Sequence, residues 1–329
     1  MGVEHLRLAM PASLGEICQG LYRGSERLAS YAIDLYNEMT FAAGLPFPSE
    51  SGDRFHHDSF YQADNTEIHY FRSLPTNSLV SAPLSPKLRE LASLICSRPG
   101  LKLPQKLSII HISRIPLGRG LGSSTADLAL MARGLYRLAG ENMDKIELAR
   151  LLPRIEPTDA TFFPGITIYE QNRGSSWQEL GNLEADLKVL QLGRPGSCDT
   201  IKSRSGRRRP PRLHKAFSLL ERSLAEQNPT LLGRAANRSA RSWQNRLDYP
   251  GLDRIISLAS GCGCLGVNIA HSGSVVGVIY HNNEADIERF QTELDLRGPG
   301  AFYPFRSSHR IVSGGLRELN PIRQQVPGS

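Results

Sequence analysis

The chain has no apolar run that approaches the roughly 20 residues needed to cross a bilayer, so a membrane span is not expected. Its first residues, Met1-Gly2-Val3-Glu4-His5-Leu6, lack both signal-peptide character and the Ser or Thr in sixth place that a myristoylation motif needs. A cytoplasmic location is the expectation. Cysteine is scarce and odd in number: Cys18, Cys96, Cys198, Cys262 and Cys264 are scattered over 329 residues. That excludes the dense, even framework of a small disulfide-stapled domain and leaves reduced thiols. Cys262 and Cys264 stand one residue apart with no second Cys pair or nearby His pair, so a zinc pattern is not completed. Neither common nucleotide signature is present: no Gly-Lys-Ser/Thr closes a P-loop, and no G-x-G-x-x-G follows a strand.

What is present is ordinary globular material, 40% hydrophobic and 22% charged, in a length that suits one large or two medium domains. Two are expected, residues 1–165 and 166–329. The net charge of +7 suits a nucleic-acid binder, but equally a protein whose ligand carries several phosphates. Much of that charge sits in one segment, residues 202–212 (K-S-R-S-G-R-R-R-P-P-R), which has no interleaved aromatics and ends in a proline pair. It reads as a solvated connector, a flap over a nucleotide or a nonspecific polyanion patch, with nothing to read bases.

Leu6 to Met10 alternates like a short strand, and Pro11 to Glu16 reads as a turn after it, with further turns at Gly20 and Gly24. Residues 44–85 show no clear period. Leu88, Leu91, Ala92 and Ile95 mark one face of a surface helix over Pro86 to Cys96. Lys106 to Ser113 alternates as a strand and delivers the chain to Pro116-Leu117-Gly118-Arg119-Gly120-Leu121-Gly122-Ser123-Ser124-Thr125. A helix follows over Ala126 to Ala139. Strands are expected at Gly165 to Tyr169 and Leu187 to Leu192. Helices are expected over Asp144 to Leu152, Leu213 to Ala225, Thr230 to Asn245, Leu252 to Ala259 and Ala285 to Leu294, with a hairpin within Leu265 to Tyr280. The interspersion favours α+β layers.

Strand, glycine loop, helix is an arrangement that suits phosphate. Gly118, Gly120 and Gly122 let the backbone take positive φ and approach anionic oxygens, and Ser123 or Ser124 opens a helix whose free N–H groups and dipole face the anion. A serine hydroxyl there can also ligate Mg²⁺. The bland alternative is a glycine-rich turn capped by serine. Glu16 and Gln19 are candidates for gripping the amino or hydroxyl group of an acceptor, with surface capping as the alternative.

The segment Pro116 to Ala126 closely resembles the phosphate loop of the GHMP kinases. Pro11-Ala12-Ser13-Leu14-Gly15-Glu16 is similar to that family's first motif, and Leu265 to Ser274 (L-G-V-N-I-A-H-S-G-S) occupies the place of its third. The wording, with Ile155-Glu156-Pro157-Thr158-Asp159 between, is most similar to the branch that phosphorylates L-threonine for the aminopropanol arm of cobalamin. The resemblance implies a two-domain α+β fold. Its N-terminal part would be like the second domain of ribosomal protein S5 and its C-terminal part ferredoxin-like, with ATP between them. It also implies a Mg²⁺ site at Glu156 with Ser124, and a general-base or substrate-orienting role for Asp159. The alternative for residues 156–159 is a helix C-terminal turn.

Asp34 resembles a family segment near the acceptor pocket, or it pairs locally. His271 and Ser272 lie where a tight turn approaches substrate or phosphates, or His271 is a structural hydrogen-bonder. Leu14 and Arg119 depart from the pattern. The first motif also lacks the lysine of mevalonate-type enzymes, a charge that Arg119 is placed to supply unless it faces solvent. The expected partner is thus a small amino-acid alcohol, not a specific nucleic acid or a membrane. Another small alcohol as acceptor, or a nucleotide-binding protein without catalysis, are the competing readings.

Overall fold

The computed structural model describes residues 5–44, 60–74, 76, 78–195, 209–271 and 273–319. The basic segment at 202–208, Cys198 and Ser272 lie outside the described residues.

Two long strands organise the chain, β1 (His5–Tyr22) and β2 (Ser25–Ala43), paired antiparallel along nearly their whole length. They are joined at Arg23 and Gly24, both at positive φ (49° and 82°), the two-residue turn whose twist matches the strands it connects. The expected turn from Pro11 to Glu16 is instead a stretch of β1 itself. The register slips between Pro11 and Ala12, between Ser13 and Glu16, and between Glu16 and Cys18, so the strand bulges without reversing. Gly20 is likewise no turn: it lies within β1, where a Cβ would stand 2.6 Å from the carbonyl oxygen of Pro211.

The stretch 44–85 holds β3 (Phe60–Ala63), β4 (Thr66–Ser73) and β5 (Leu79–Ser81). Next come α1 (Pro86–Cys96) and β6 (Lys106–Ser113), and β6 lies parallel to β4 and antiparallel to β2. Ser85 caps α1 by accepting from the Leu88 N–H, with Pro86 in the first turn. The glycine loop leads into α2 (Ser123–Leu138), whose Leu128, Ala129, Met131, Ala132, Leu135 and Leu138 are all buried. Asp144 and Glu147 form a reciprocal capping box at the start of α3 (Lys145–Leu151).

The remaining elements are β7 (Ile166–Tyr169), β8 (Trp177–Gly181), β9 (Leu187–Gly193), α4 (His214–Ala225), α5 (Pro229–Trp243), α6 (Leu252–Gly261), β10 (Gly266–Ile269), β11 (Val275–His281), α7 (Ile287–Leu296), β12 (Phe305–Val312) and β13 (Arg317–Leu319). All thirteen strands among the described residues belong to one sheet, in which β1 and β2 pair with each other, β1 also with β10 and β2 also with β12. The class is α+β, as expected.

Side chains on β9 and β11 alternate between two cores. Val189, Val275 and Ile279 join the larger one, built on β1, β2, α2 and α4. Leu190, Leu192, Val276 and Val278 join a smaller one under α6 and α7. Apolar burial on both faces makes this part of the sheet a fixed wall. Among the described residues no helix is long and apolar enough to cross a membrane.

Candidate active site

Three sequence segments that are far apart in the chain meet at the N-terminus of α2. The loop glycines Gly118, Gly120 and Gly122 have φ of 66°, 82° and 71°, a region that other residues rarely enter. Their spacing is filled from two sides. Gly15 N–H donates to the Gly120 carbonyl (3.3 Å) and Ser13 N–H to the Leu121 carbonyl (3.1 Å), both from β1. Ser274 N–H donates to the Arg119 carbonyl (3.2 Å) from the β10–β11 turn. A Cβ on Gly120 would lie 2.5 Å from that of Ala270, and one on Gly122 would lie 2.8 Å from Ser13 Oγ. Buried Asn268 ties the wall together, donating to the Leu14 carbonyl and accepting from Tyr31.

A cleft opens over this junction. Glu16, Leu28, the loop from Gly120 to Thr125 with Gly118, residues Glu156 to Asp159, and Gln171 line it. No side chain caps α2 and no acidic residue stands in its first turn, so its N–H groups face the cleft with their positive partial charge.

Glu156 and Ser124 touch: Ser124 Oγ donates to Glu156 Oε1. Lys87, in the first turn of α1, holds Glu156 Oε2 at 2.5 Å and reaches to 3.4 Å from Ser124 Oγ. Lys87 escaped the sequence reading because on an amphipathic surface helix a lysine looks like a solvent-face residue. Only the packing of α1 beside α2 turns it inward. It gives this corner the cation that Arg119 was expected to provide. Arg119 instead donates to the Arg194 carbonyl (2.5 Å) and lies over the Phe305 ring (5.4 Å), pulled to β9 and β12 by partners the phosphate loop does not offer.

Asp159 lies beneath the helix start. Its backbone N–H donates to Thr125 Oγ1 (3.0 Å), while its carboxylate accepts from Ser30 Oγ and from the Ala160 N–H (2.6 Å). Burial, and then the charge of Glu16, push its carboxyl up to about 6. Hydrogen bonds from Ser13, Ser30 and Ala160 pull the other way. Ser30, Leu28 and Gln171 were not legible as site residues, since β2 and the chain after β7 carry no motif.

Glu16 Oε2 accepts from the backbone N–H of His271 (3.0 Å) and faces its Nδ1 (2.8 Å). A carboxylate oxygen only accepts, so Nδ1 carries the ring proton. The ring packs edge-on against Trp243 at 4.8 Å, and its buried Nε2 has no hydrogen bond among the described residues.

Of the residues expected to hold the acceptor, three described ones do not line the cleft: His271, Gln19 and Asp34. Gln19 is buried in β1, its amide at 3.3 Å from Glu26 Oε1, which Gln171 also reaches at 3.3 Å. Asp34 is on the far side of β2, accepting from the Arg310 N–H at 3.0 Å with His309 at 3.6 Å. Local pairing explains Asp34 fully.

A positive-φ glycine loop, a helix N-terminus and three carboxylates at one cleft define a phosphotransferase. The comparisons give the family. Residues 87–163 match the GHMP kinases N terminal domain, residues 218–299 match the GHMP kinases C terminal model, and the chain belongs to this family of ATP-using kinases. It is 29% identical over 316 residues to an L-threonine kinase of Citrobacter freundii, covering 93% of this chain and 97% of that protein. It is equally similar to an L-threonine kinase of Salmonella typhimurium, with 93% of each covered. Among solved structures, the homoserine kinase from Cytophaga hutchinsonii superposes with a TM-score of 0.66, at 15% identity and covering 96% and 98% of the two chains.

Proposed function

We propose that this kinase transfers the γ-phosphoryl group of ATP to the side-chain hydroxyl of L-threonine, giving O-phospho-L-threonine for the aminopropanol arm of cobalamin. The observation that carries the chemistry is Asp159: a carboxylate in the cleft, beside the helix start, with its pKa raised toward neutrality. The identity to two L-threonine kinases over nearly the whole chain supports the acceptor.

In this reading Gly118, Gly120, Gly122 and the N–H groups of Ser123, Ser124 and Thr125 cradle the triphosphate, and Lys87 adds charge neutralisation. Ser124 and Glu156 offer adjacent hard oxygen donors, and among the described residues no group of three or more His, Cys, Asp or Glu gathers as a closed metal cage. That suits Mg²⁺, which takes one or two protein oxygens and completes its shell with phosphates and water. When bound, the ion neutralises charge developing on the phosphate oxygens. Asp159 accepts the hydroxyl proton as the oxygen attacks, Ser30 and Ser13 fix its orientation, and Glu16 pairs with the acceptor ammonium. Leu28 is the apolar wall suited to the threonine methyl.

The test is ADP release from Mg²⁺-ATP with L-threonine, L-serine, L-homoserine and sugar or isoprenoid alcohols supplied separately, with product masses recorded. Threonine-dependent ADP together with O-phosphothreonine is expected. Turnover with another alcohol alone sinks the acceptor assignment and keeps the kinase.

A further inference from the structure

Outside the cleft, one buried side chain touches both ends of the glycine loop. Asn37, fully buried on β2, accepts at Oδ1 from the backbone N–H groups of Arg114 and Ile115, each at 2.8 Å, where the chain leaves β6 and enters the loop. Its Nδ2 donates at 2.7 Å to Asp127 Oδ1, in the second turn of α2, where the chain has left the loop. His111 Nε2, on β6, lies 3.0 Å from the same oxygen without making a hydrogen bond to it, and the Tyr70 hydroxyl on β4 is 2.5 Å from His111 Nδ1. None of these four side chains lines the cleft.

The geometry points to Asn37 and Asp127 as positioning residues for nucleotide binding, a staple that fixes the separation of the two ends of the phosphate loop. This rests on the reading of that loop as the triphosphate cradle. The physical need is plain. Three glycines at alternate positions give the loop more conformational freedom than other residues at those positions would, so its single shape has to be held by its surroundings.

The wall from β1 and the β10–β11 turn supports the middle of the loop, through the bonds of Ser13, Gly15 and Ser274. Without a staple the ends are set only by the pairing of β6 with β2 and β4 and by the packing of α2 on β1 and β2. Asn37 joins them through one rigid amide on a third strand, with both carbonyl lone pairs and one N–H proton in use. The His111 ring, itself bonded to Tyr70, packs beside Asp127 and limits the room its carboxylate has to turn. The helix N–H groups and the loop amides must converge on the same phosphates, so a small displacement of one end opens the cradle.

The experiment titrates a fluorescent ATP analogue, in the presence of Mg²⁺, into wild type, Asn37→Ser, Asp127→Ala and Asp127→Asn, and follows it with steady-state kinetics and thermal melting. Asp127 is partly exposed, so Asp127→Ala is expected to fold. Loss of the staple should weaken analogue binding and raise the KM for ATP about tenfold, the scale of one or two lost buried hydrogen bonds, while the acceptor KM moves less than about twofold. Asp127→Asn keeps an oxygen for Asn37 and should recover most of the affinity. Variants that melt lower yet bind the analogue as wild type does would overturn the staple and leave a merely structural network. So would an acceptor KM that rises in parallel with that for ATP. A wild-type chain that binds no analogue would overturn the reading of the loop, and the staple with it.

Discussion

One oxygen of Glu16 is bonded twice by a single residue, His271, through its backbone N–H at 3.0 Å and its ring Nδ1 at 2.8 Å. The first motif is thereby locked to the third, and the other Glu16 oxygen is left to the cleft that Glu16 lines. Glu16 also raises the Asp159 carboxyl, second only to burial. Glu16→Gln should therefore do two things at once. The KM for the amino-acid acceptor should rise tenfold or more, about the value of one charge-assisted bond to an ammonium. The acidic limb of the kcat profile should move below its wild-type position near pH 6, because an Asp159 relieved of a neighbouring negative charge ionises more readily. An unmoved limb with a raised KM would separate Glu16 from Asp159.

Asp159→Asn tests the base directly. Activity should fall by 10² or more while ATP binding stays near wild type, the pattern of a group that acts in the transition state. Stability should move the opposite way. The folded-state carboxyl titrates at about 6, above its ordinary 3.8, so the native state holds the proton more tightly and wild type loses stability as pH rises through that window. The amide is free of this cost. Half-buried, Asp159→Asn should melt higher than wild type at pH 8 by about 1–2 kcal/mol, and the gap should close near pH 4. Equal melting at both pH values would mean that the carboxylate is not strained by its site.

The motif residues were legible because their chemistry is local. Glycines at 118, 120 and 122 need no tertiary information to imply positive φ, and the periodic helices α1 and α2 lie within a few residues of their expected bounds. What stayed hidden depends on pairing across distance. β2 shows no alternation because both its faces are covered, so Ser30, Leu28 and Asn37 carried no signal. Lys87 was missed and Arg119 left open for the same reason. A cation's partner is set by which helix packs beside it, and Glu156 lies 69 residues from the lysine that holds it.

That ion pair gives a third prediction. Glu156 is bonded by Lys87 and Ser124 at once, so its carboxylate is aimed before any ligand arrives. Glu156→Gln should raise the Mg²⁺ concentration for half-maximal rate about tenfold, as expected for losing one hard anionic ligand. Lys87→Met should instead raise the KM for ATP with little change in the Mg²⁺ requirement, since it removes a phosphate-facing charge. If both variants shift the Mg²⁺ requirement equally, Lys87 serves only to orient Glu156.

Gly120 is the most demanding position of the loop. It combines φ of 82° with an Ala270 Cβ only 2.5 Å from where its own would stand, and Gly273 closes on it from the same turn at 3.0 Å. A methyl group there meets two penalties with different remedies. The positive φ costs about 1 kcal/mol for any L-residue, and nothing nearby can relieve it. The worst clash is with a single side chain, Ala270, while the Gly273 backbone stands at tight contact distance. Gly120→Ala should cut activity by 10² or more by pushing the loop off the third motif. Adding Ala270→Gly should restore part of the activity, because it removes the nearest atom in the way and leaves the backbone cost and the tight Gly273 contact. If the double variant is no better than the single one, the loop fails through its dihedral or the Gly273 contact, and its packing on Ala270 does not set its shape.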